Sequence, residues 1–418
     1  MTFTGYTNKT PSPNPALRGK RVAIVGAGPG GLSAGIALRQ AGFDVKIFER
    51  HDSVAGVGGA ILLNAIGIHI LRGYGIAVDD IYTASVARFK SHDGVQRVLW
   101  RTEQELLDKA RVPGWISGMM RSEVYDRMLT VVPDGMIVTG HEFTRFSDAG
   151  DEVVLHFANG ASYRADLLIG ADGIDSRARL QMFGGGEAKH LGIAVYLGWC
   201  EIDGPSRDEM VLRHSDLYQL GYAPLRYRDK DCFEWWFVEP CTPTQQAPED
   251  PLSYIKERIS DFESPVMDIV GATDPDHALF RWVVKYRDPL KTWTQGRVTL
   301  LGDACHPTSP YAGYGAGMAI EDGFFLGRYL AGANLSDPSE LAAGLGKYEE
   351  QRLEYTNKMT AFARLLGKVF HEWPKPLRKF RDFMMNHTGI PDKQISDGYT
   401  KDGQSLLKAI LEAERQSR

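Results

Sequence analysis

Cysteine is scarce. The 418-residue chain has four, Cys200, Cys232, Cys241 and Cys305, and no two form a CxxC pair. That argues against a structural zinc site and against a disulfide framework, and it fits a reducing, cytoplasmic setting. Long apolar runs are missing as well. No stretch of about 18 apolar residues occurs, so no membrane span is expected. A basic excess is absent: 48 Lys and Arg stand against 53 Asp and Glu, a net charge of −5, which argues against general electrostatic binding to nucleic acid. The 11 histidines include no HxH or HExxH arrangement, and no metal is expected. Repeats and low-complexity tracts are lacking. The first 20 residues lack an apolar core segment, and they read as a flexible arm rather than a signal peptide.

What remains is an ordinary globular composition, 43% hydrophobic and 24% charged, long enough for two or three domains. The clearest local signal is Arg21 to Val25, a short β-branched run, followed by a glycine turn, a helical segment and a second strand ending at Glu49. Within the turn, Gly26, Gly28 and Gly31 form GxGxxG. The first permits the tight turn, the second lets the backbone approach a pyrophosphate, and the third allows close helix–strand packing. The helix start offers unpaired N–H groups to phosphate. Glu49 stands where a carboxylate can accept hydrogen bonds from an adenosine ribose. The motif predicts a dinucleotide site without choosing between FAD and NAD.

Two later segments choose. DLLIGADGIDSRAR (166–179) and GDACHPTSPYAGYGAGMAIED (302–322), taken with the glycine turn, resemble the class A flavoprotein aromatic hydroxylases, single-component FAD monooxygenases of the p-hydroxybenzoate and salicylate hydroxylase type. The resemblance covers about residues 20–370. It implies an α/β fold: a Rossmann-type FAD-binding domain with an inserted β-rich substrate domain and a C-terminal helical segment. The expected division is an arm at 1–20, the FAD-binding domain at 21–75, 98–185 and 281–335, the substrate domain at 76–97 and 186–280, and a helical region at 336–418.

The resemblance also implies roles. Glu49 binds the adenosine ribose, and neighbouring Arg50 is counted with the cofactor-binding residues. Arg121 contacts FAD near its phosphates or ribityl chain. Asp172 and Gly173 form a motif linked to both FAD and NAD(P)H. Asp303 accepts from a ribityl hydroxyl. Pro310 puts its carbonyl near the oxygenation centre. Gly313, Gly315 and Ala316 present backbone N–H groups to the flavin pyrimidine edge. The turn opens a helix at Met318 whose positive end faces the reduced flavin. The loop departs from the family pattern, with Tyr314 in place of Gln and Gly317 in place of Asn. His306 reads as structural.

The activity implied is hydroxylation of an electron-rich aromatic or heteroaromatic small molecule by O2 and NADH or NADPH, through a flavin C4a-hydroperoxide shielded from water. No second GxGxxG exists to hold the nicotinamide. A drug-inactivating monooxygenase of the tetracycline or rifamycin type, and a flavin-bound protein without hydroxylase activity, are the alternatives. The expected unit is a monomer or homodimer. For the substrate pocket, Tyr218, Leu220 and Tyr222 share one face of a strand, which makes Tyr222 and Tyr218 candidates for handling a ring hydroxyl. Trp235 and Trp236 point to opposite faces. His214 reads as a surface residue, and Arg226, Arg281 and Arg287 are candidates for binding a carboxylate.

Overall fold

The computed structural model describes residues 6–416 except 57, 85, 91–95, 101–102, 391–392 and 394–399. Residues 1–5 of the expected arm, and parts of the expected 76–97 and 336–418 segments, lie outside the described residues. The arm from Tyr6 onward is anchored rather than loose. Thr7 bridges Val138 in parallel, and Pro15–Leu17 forms a short 3-10 turn capped by Asn14.

Two sheets organise the molecule. Strand Arg21–Val25 is buried at every position and pairs in parallel with Asp44–Phe48 on one side and Leu167–Gly170 on the other. Val298–Leu300 extends this sheet in parallel beyond Leu167–Gly170. A continuous apolar run buried on both faces is what a parallel sheet requires. The second sheet has ten strands and is mostly antiparallel, built around Lys189–Glu201, Gln219–Tyr227 and Lys230–Pro240. Strands Ala60–Asn64 and Ile116–Met120 join it as an antiparallel pair. Helix Arg121–Leu129 follows the second of these directly. Leu279–Tyr286 also pairs into this sheet, against Lys189–Glu201.

Helices Pro251–Arg258 and Val266–Gly271 cover one face of the ten-stranded sheet, burying Ile255, Ile259 and Ile269 against Phe233, Trp235 and Phe237. The chain then builds helix Gly315–Leu330, the long helix Pro338–Gly367, a π-turn at Lys368–Glu372, and helices Lys375–His387 and Lys401–Gln416. Helix Gly315–Leu330 begins three residues before the expected Met318, so glycines form its first turn.

Candidate active site

The glycine turn is built as its sequence demands. Gly26 has φ +101°, and a Cβ there would meet the Ala171 carbonyl at 2.3 Å. A Cβ on Gly31 would lie 2.0 Å from the Gly26 carbonyl. Gly28 differs: its missing side chain would meet only Tyr125 Oη, at 3.7 Å. The turn is closed around two glycines and open at the third, leaving room for a ligand at the uncapped start of helix Pro29–Gln40. Glu49 accepts from Ala27 N at 3.0 Å and from His51 N at 3.0 Å, which fixes its carboxylate at the same opening. Arg50 is exposed beside it and donates to His51 Nε2 at 3.1 Å.

A line of side chains runs from this turn. Burial pushes the Tyr125 phenol up to about 12, with Arg121 opposing the rise and Glu49 adding to it. Tyr125 therefore lies within electrostatic reach of both. Arg121 Nε is buried without a hydrogen-bond partner among the described residues, and its guanidinium lies 5.6 Å above the Trp282 ring. Asp303 comes next. Its side chain is accessible, yet desolvation raises its carboxyl, opposed by His306 and Arg121. An accessible carboxyl that is nonetheless desolvated lies inside a crevice rather than on an outer surface. Helix Arg177–Phe183 is capped by Ser176, and Asp172 accepts from its first N–H groups, Arg177 N at 2.8 Å and Ala178 N at 3.3 Å, while its Oδ1 has no partner among the described residues. Gly173, at φ +76°, has nothing within 4 Å of where a Cβ would be. Tyr125 was not singled out from sequence. Its position four residues after Arg121 on one helix was the available signal.

The two cradles are tied by helix packing. A Cβ on Gly30 would lie 3.1 Å from Ala319 Cβ, one on Gly323 would lie 2.3 Å from Ala34 N, and one on Gly327 would lie 2.5 Å from Ala37 Cβ. Contacts that advance together along both chains mean that helices Pro29–Gln40 and Gly315–Leu330 run parallel. Their uncapped N-termini, and the positive ends of their dipoles, therefore point the same way. In the loop before the second helix, Gly313 N donates to the Pro310 carbonyl at 2.8 Å. This corrects the expectation for Gly313: its N–H closes the 3-10 turn Pro310–Ala312 and is not offered outward, and one lone pair of Pro310 is taken by the same bond. Gly315 and Ala316, in the first helical turn, keep theirs.

Beneath this loop lies a buried ionic network. His306 Nε2 is 2.6 Å from Asp322 Oδ2, which also accepts from Gly302 N at 2.9 Å. Arg352 contacts Asp322 Oδ1 at 2.8 Å and forms an ion pair with Glu321 at 2.8 Å. Tyr314 turns into this network, donating to Glu321 Oε1 at 3.0 Å and accepting from Tyr355 at 2.8 Å. Burial alone would raise Asp322, but His306 and Arg352 hold it below the ordinary carboxylate range. Glu321 is raised by burial against Arg352. Asn64 donates to Glu321 at 3.3 Å, and its Oδ1 lies 3.5 Å from where a Cβ on Gly317 would sit. The unusual Tyr314 thus braces the loop from behind.

The ten-stranded sheet presents its other face to these loops. Trp236 lies across Gly221, where a Cβ would be 2.1 Å from its ring, and both Trp236 and Tyr311 pack against the cluster of Val195 and Val238. Glu234 is buried on this face, with Oε1 unpartnered among the described residues and 2.6 Å from where a Cβ on Gly118 would be. Tyr311 donates to His371 Nε2, and His371 Nδ1 donates to the Leu217 carbonyl at 2.9 Å. Tyr218 and Tyr222 are not brought to the crevice. Their strand period holds, but it points them into the core under helices Pro251–Arg258 and Val266–Gly271, because the larger apolar side chains of that period cover the helix side. Trp235 points the same way and donates to Thr273 at 2.8 Å. His214 is buried against Phe370 at 4.7 Å, not on the surface. The arginines are engaged elsewhere: Arg281 with Tyr196 at 3.2 Å, Arg287 with the Gly186 carbonyl at 2.7 Å, and half-buried Arg226 with Asp229 at 3.5 Å.

The chain is similar to known proteins in sequence and in fold. Residues 20–363 match the model of the FAD binding domain family. The chain is 30% identical over 363 residues to an aurachin C monooxygenase/isomerase of Stigmatella aurantiaca, covering 84% of this chain and 90% of the relative. It is 29% identical over 368 residues to a 6-hydroxynicotinate 3-monooxygenase of Pseudomonas fluorescens, covering 81% and 89%. In fold it is similar to Klebsiella pneumoniae HpxO crystallised with FAD and uric acid, with a TM-score of 0.78 at 24% identity, covering 91% of this chain and 96% of that one.

Proposed function

The chain belongs to the FAD binding domain family and is a class A flavoprotein monooxygenase of aromatic and heteroaromatic compounds, and from that premise we propose which of its residues hold the cofactor and shape the substrate's chamber. FAD is its cofactor and NAD(P)H its co-substrate. When bound, FAD supplies the two-electron reduction by NAD(P)H and the delivery of one oxygen atom of O2 to the ring.

The residues present fit FAD. Open Gly28, between closed Gly26 and Gly31, takes the pyrophosphate at the helix start. Glu49 takes the adenosine ribose, with Arg50 at the same mouth. Arg121, whose Nε has no acceptor among the described residues, supplies a charged donor along the phosphate–ribityl stretch, and Tyr125 lines that stretch. Asp303 accepts from the ribityl chain, while Asp172 and Gly173 border it. Gly315 and Ala316 offer N–H groups to the pyrimidine edge, so the second helix stabilises negative charge gathered there. The observation that carries this reading is open Gly28 between closed Gly26 and Gly31, at one of two parallel, uncapped helix starts.

At the reacting end, Pro310 borders the ring, and Tyr311 and Trp236 wall the chamber and exclude water. The 6-hydroxynicotinate in one relative's name and the uric acid bound in the similar structure support a flat, hydroxyl- or nitrogen-bearing ring as substrate. The working unit we propose is a monomer or homodimer. The four free, buried cysteines support a cytoplasmic setting. Among the described residues no helix is long and apolar enough to cross a membrane. Asp303→Ala tests the assignment. Dialysed variant is expected to lose its yellow flavin absorbance while wild type keeps it; equal flavin retention would reject the placement of the ribityl chain.

A further inference from the structure

Helix Lys375–His387 is docked inside out. Its inward side is largely polar, with Met385 alone of its apolar side chains packed on the main core. Arg378 meets Asp216 Oδ2 at 2.9 Å, Arg381 donates to the Phe370 carbonyl at 2.9 Å and pairs with Asp382 at 2.7 Å, and Asn386 is buried. Its outward side is apolar. Leu377, Phe380 and Phe383 are 49%, 56% and 55% exposed, and Trp373 stacks on Phe380 at 6.4 Å. At helical spacing these side chains fall on one stripe. With Leu365 and Ile390, they are five of the seven exposed large apolar side chains among the described residues. A helix on a body surrounded by water ordinarily turns the other way. A contiguous apolar patch of this kind marks a contact surface.

The charge pattern indicates what makes the contact. The helix carries Lys375, Arg378, Lys379 and Arg381 against Asp382 alone, within a chain of net charge −5. Arg378 and Arg381 are engaged inward, whereas Lys375 and Lys379 are exposed along one border of the apolar stripe, and Lys368 is exposed on the preceding turn. Twofold pairing of two copies with these helices antiparallel would present the same basic border to itself. Anionic headgroups would neutralise it while acyl chains receive the aromatic rings. A polar side seated on the protein and an apolar side facing out suits a helix lying between a folded body and a bilayer.

We propose that helix Lys375–His387 docks the enzyme on an anionic lipid surface, with Phe380 and Phe383 entering the acyl boundary and Lys375 and Lys379 meeting headgroup phosphates. The helix rests on Asp216, next to the Leu217–His371–Tyr311 chain, so docking sets the bilayer beside the aromatic wall of the crevice. This inference stands on the exposed helix and does not depend on the cofactor assignments.

The test is flotation of the FAD-loaded, full-length protein with phosphatidylcholine vesicles with and without phosphatidylglycerol. Expected is recovery with the anionic vesicles only, weakening as salt rises. Phe380→Ser with Phe383→Ser should cut recovery at least about tenfold with flavin content unchanged, and Lys375→Glu with Lys379→Glu should do so at low salt. Absence of vesicle binding at low salt, or binding untouched by the two serines, would overturn the proposal. So would a dimer in sedimentation that the serine pair dissolves, which would give the face to a second copy.

Discussion

Glu234 is a carboxylic acid enclosed in the sheet face with no hydrogen bond or ion pair to another described residue. Burial pushes it from 4.5 up to about 8. The unfolded chain releases that proton near the lower value and the folded protein near the higher, so between them the folded state holds one more proton. Its contribution is complete at low pH and fades as pH rises through 8, by up to about 1.4 kcal/mol per unit. Glu234→Gln should therefore flatten the decline in melting temperature between about pH 6 and about pH 8.5, and parallel curves for variant and wild type would count against it. The two tyrosine positions separate in the same way. Tyr222→Phe, under the helices, should leave turnover unchanged. Tyr311→Phe releases the bond to His371 and should raise the H2O2 formed per NAD(P)H consumed. Peroxide and NAD(P)H assays on both variants check the pair, and equal coupling in the two would contradict the placement of the wall. Burial lowers the His371 imidazole to about 4, with a smaller contribution from Arg381, so it is neutral at pH 7 and fit to accept from Tyr311.

Between elements, the closest contact that matters is glycine against backbone. Gly323 lets helix Gly315–Leu330 press on Ala34 and Ser33, and that pressure keeps two helix starts aimed at one crevice. Gly323→Ala would force the helices apart. A loss of about 1–3 kcal/mol in denaturant unfolding, together with weaker FAD retention, is expected; a variant of unchanged stability and full flavin content would show that the helices tolerate separation. These elements were readable because each is local. The strand–turn–helix around Gly26 and the glycines opening the second helix carry their signals within a few residues. Choosing the sheet face needs information that no strand contains. The alternation of Tyr218, Leu220 and Tyr222 says which side chains travel together, while the helices that claim that side come later in the chain. His371 was equally hidden, since a π-turn presents it to a loop that sequence alone leaves unplaced.

For the whole molecule, the cofactor site joins remote segments through one sheet, in which Val298–Leu300 lies beside Leu167–Gly170 and that strand beside Arg21–Val25. A ligand that touches all of them binds only the folded state, so FAD at a hundred times its dissociation constant should stabilise the protein by about 2.7 kcal/mol over the apoprotein. Chemical unfolding with and without added FAD measures this, and coincident curves would mean that the crevice is not the binding site. The parallel helices have a consequence for biosynthesis. As the polypeptide leaves the ribosome, the glycine turn is complete long before Asp303 and Gly315 have been translated. FAD then has one helix start to meet and no opposite wall. Capture of the cofactor must wait until the second helix start has been made, and a product that stops before residue 300 should leave translation colourless.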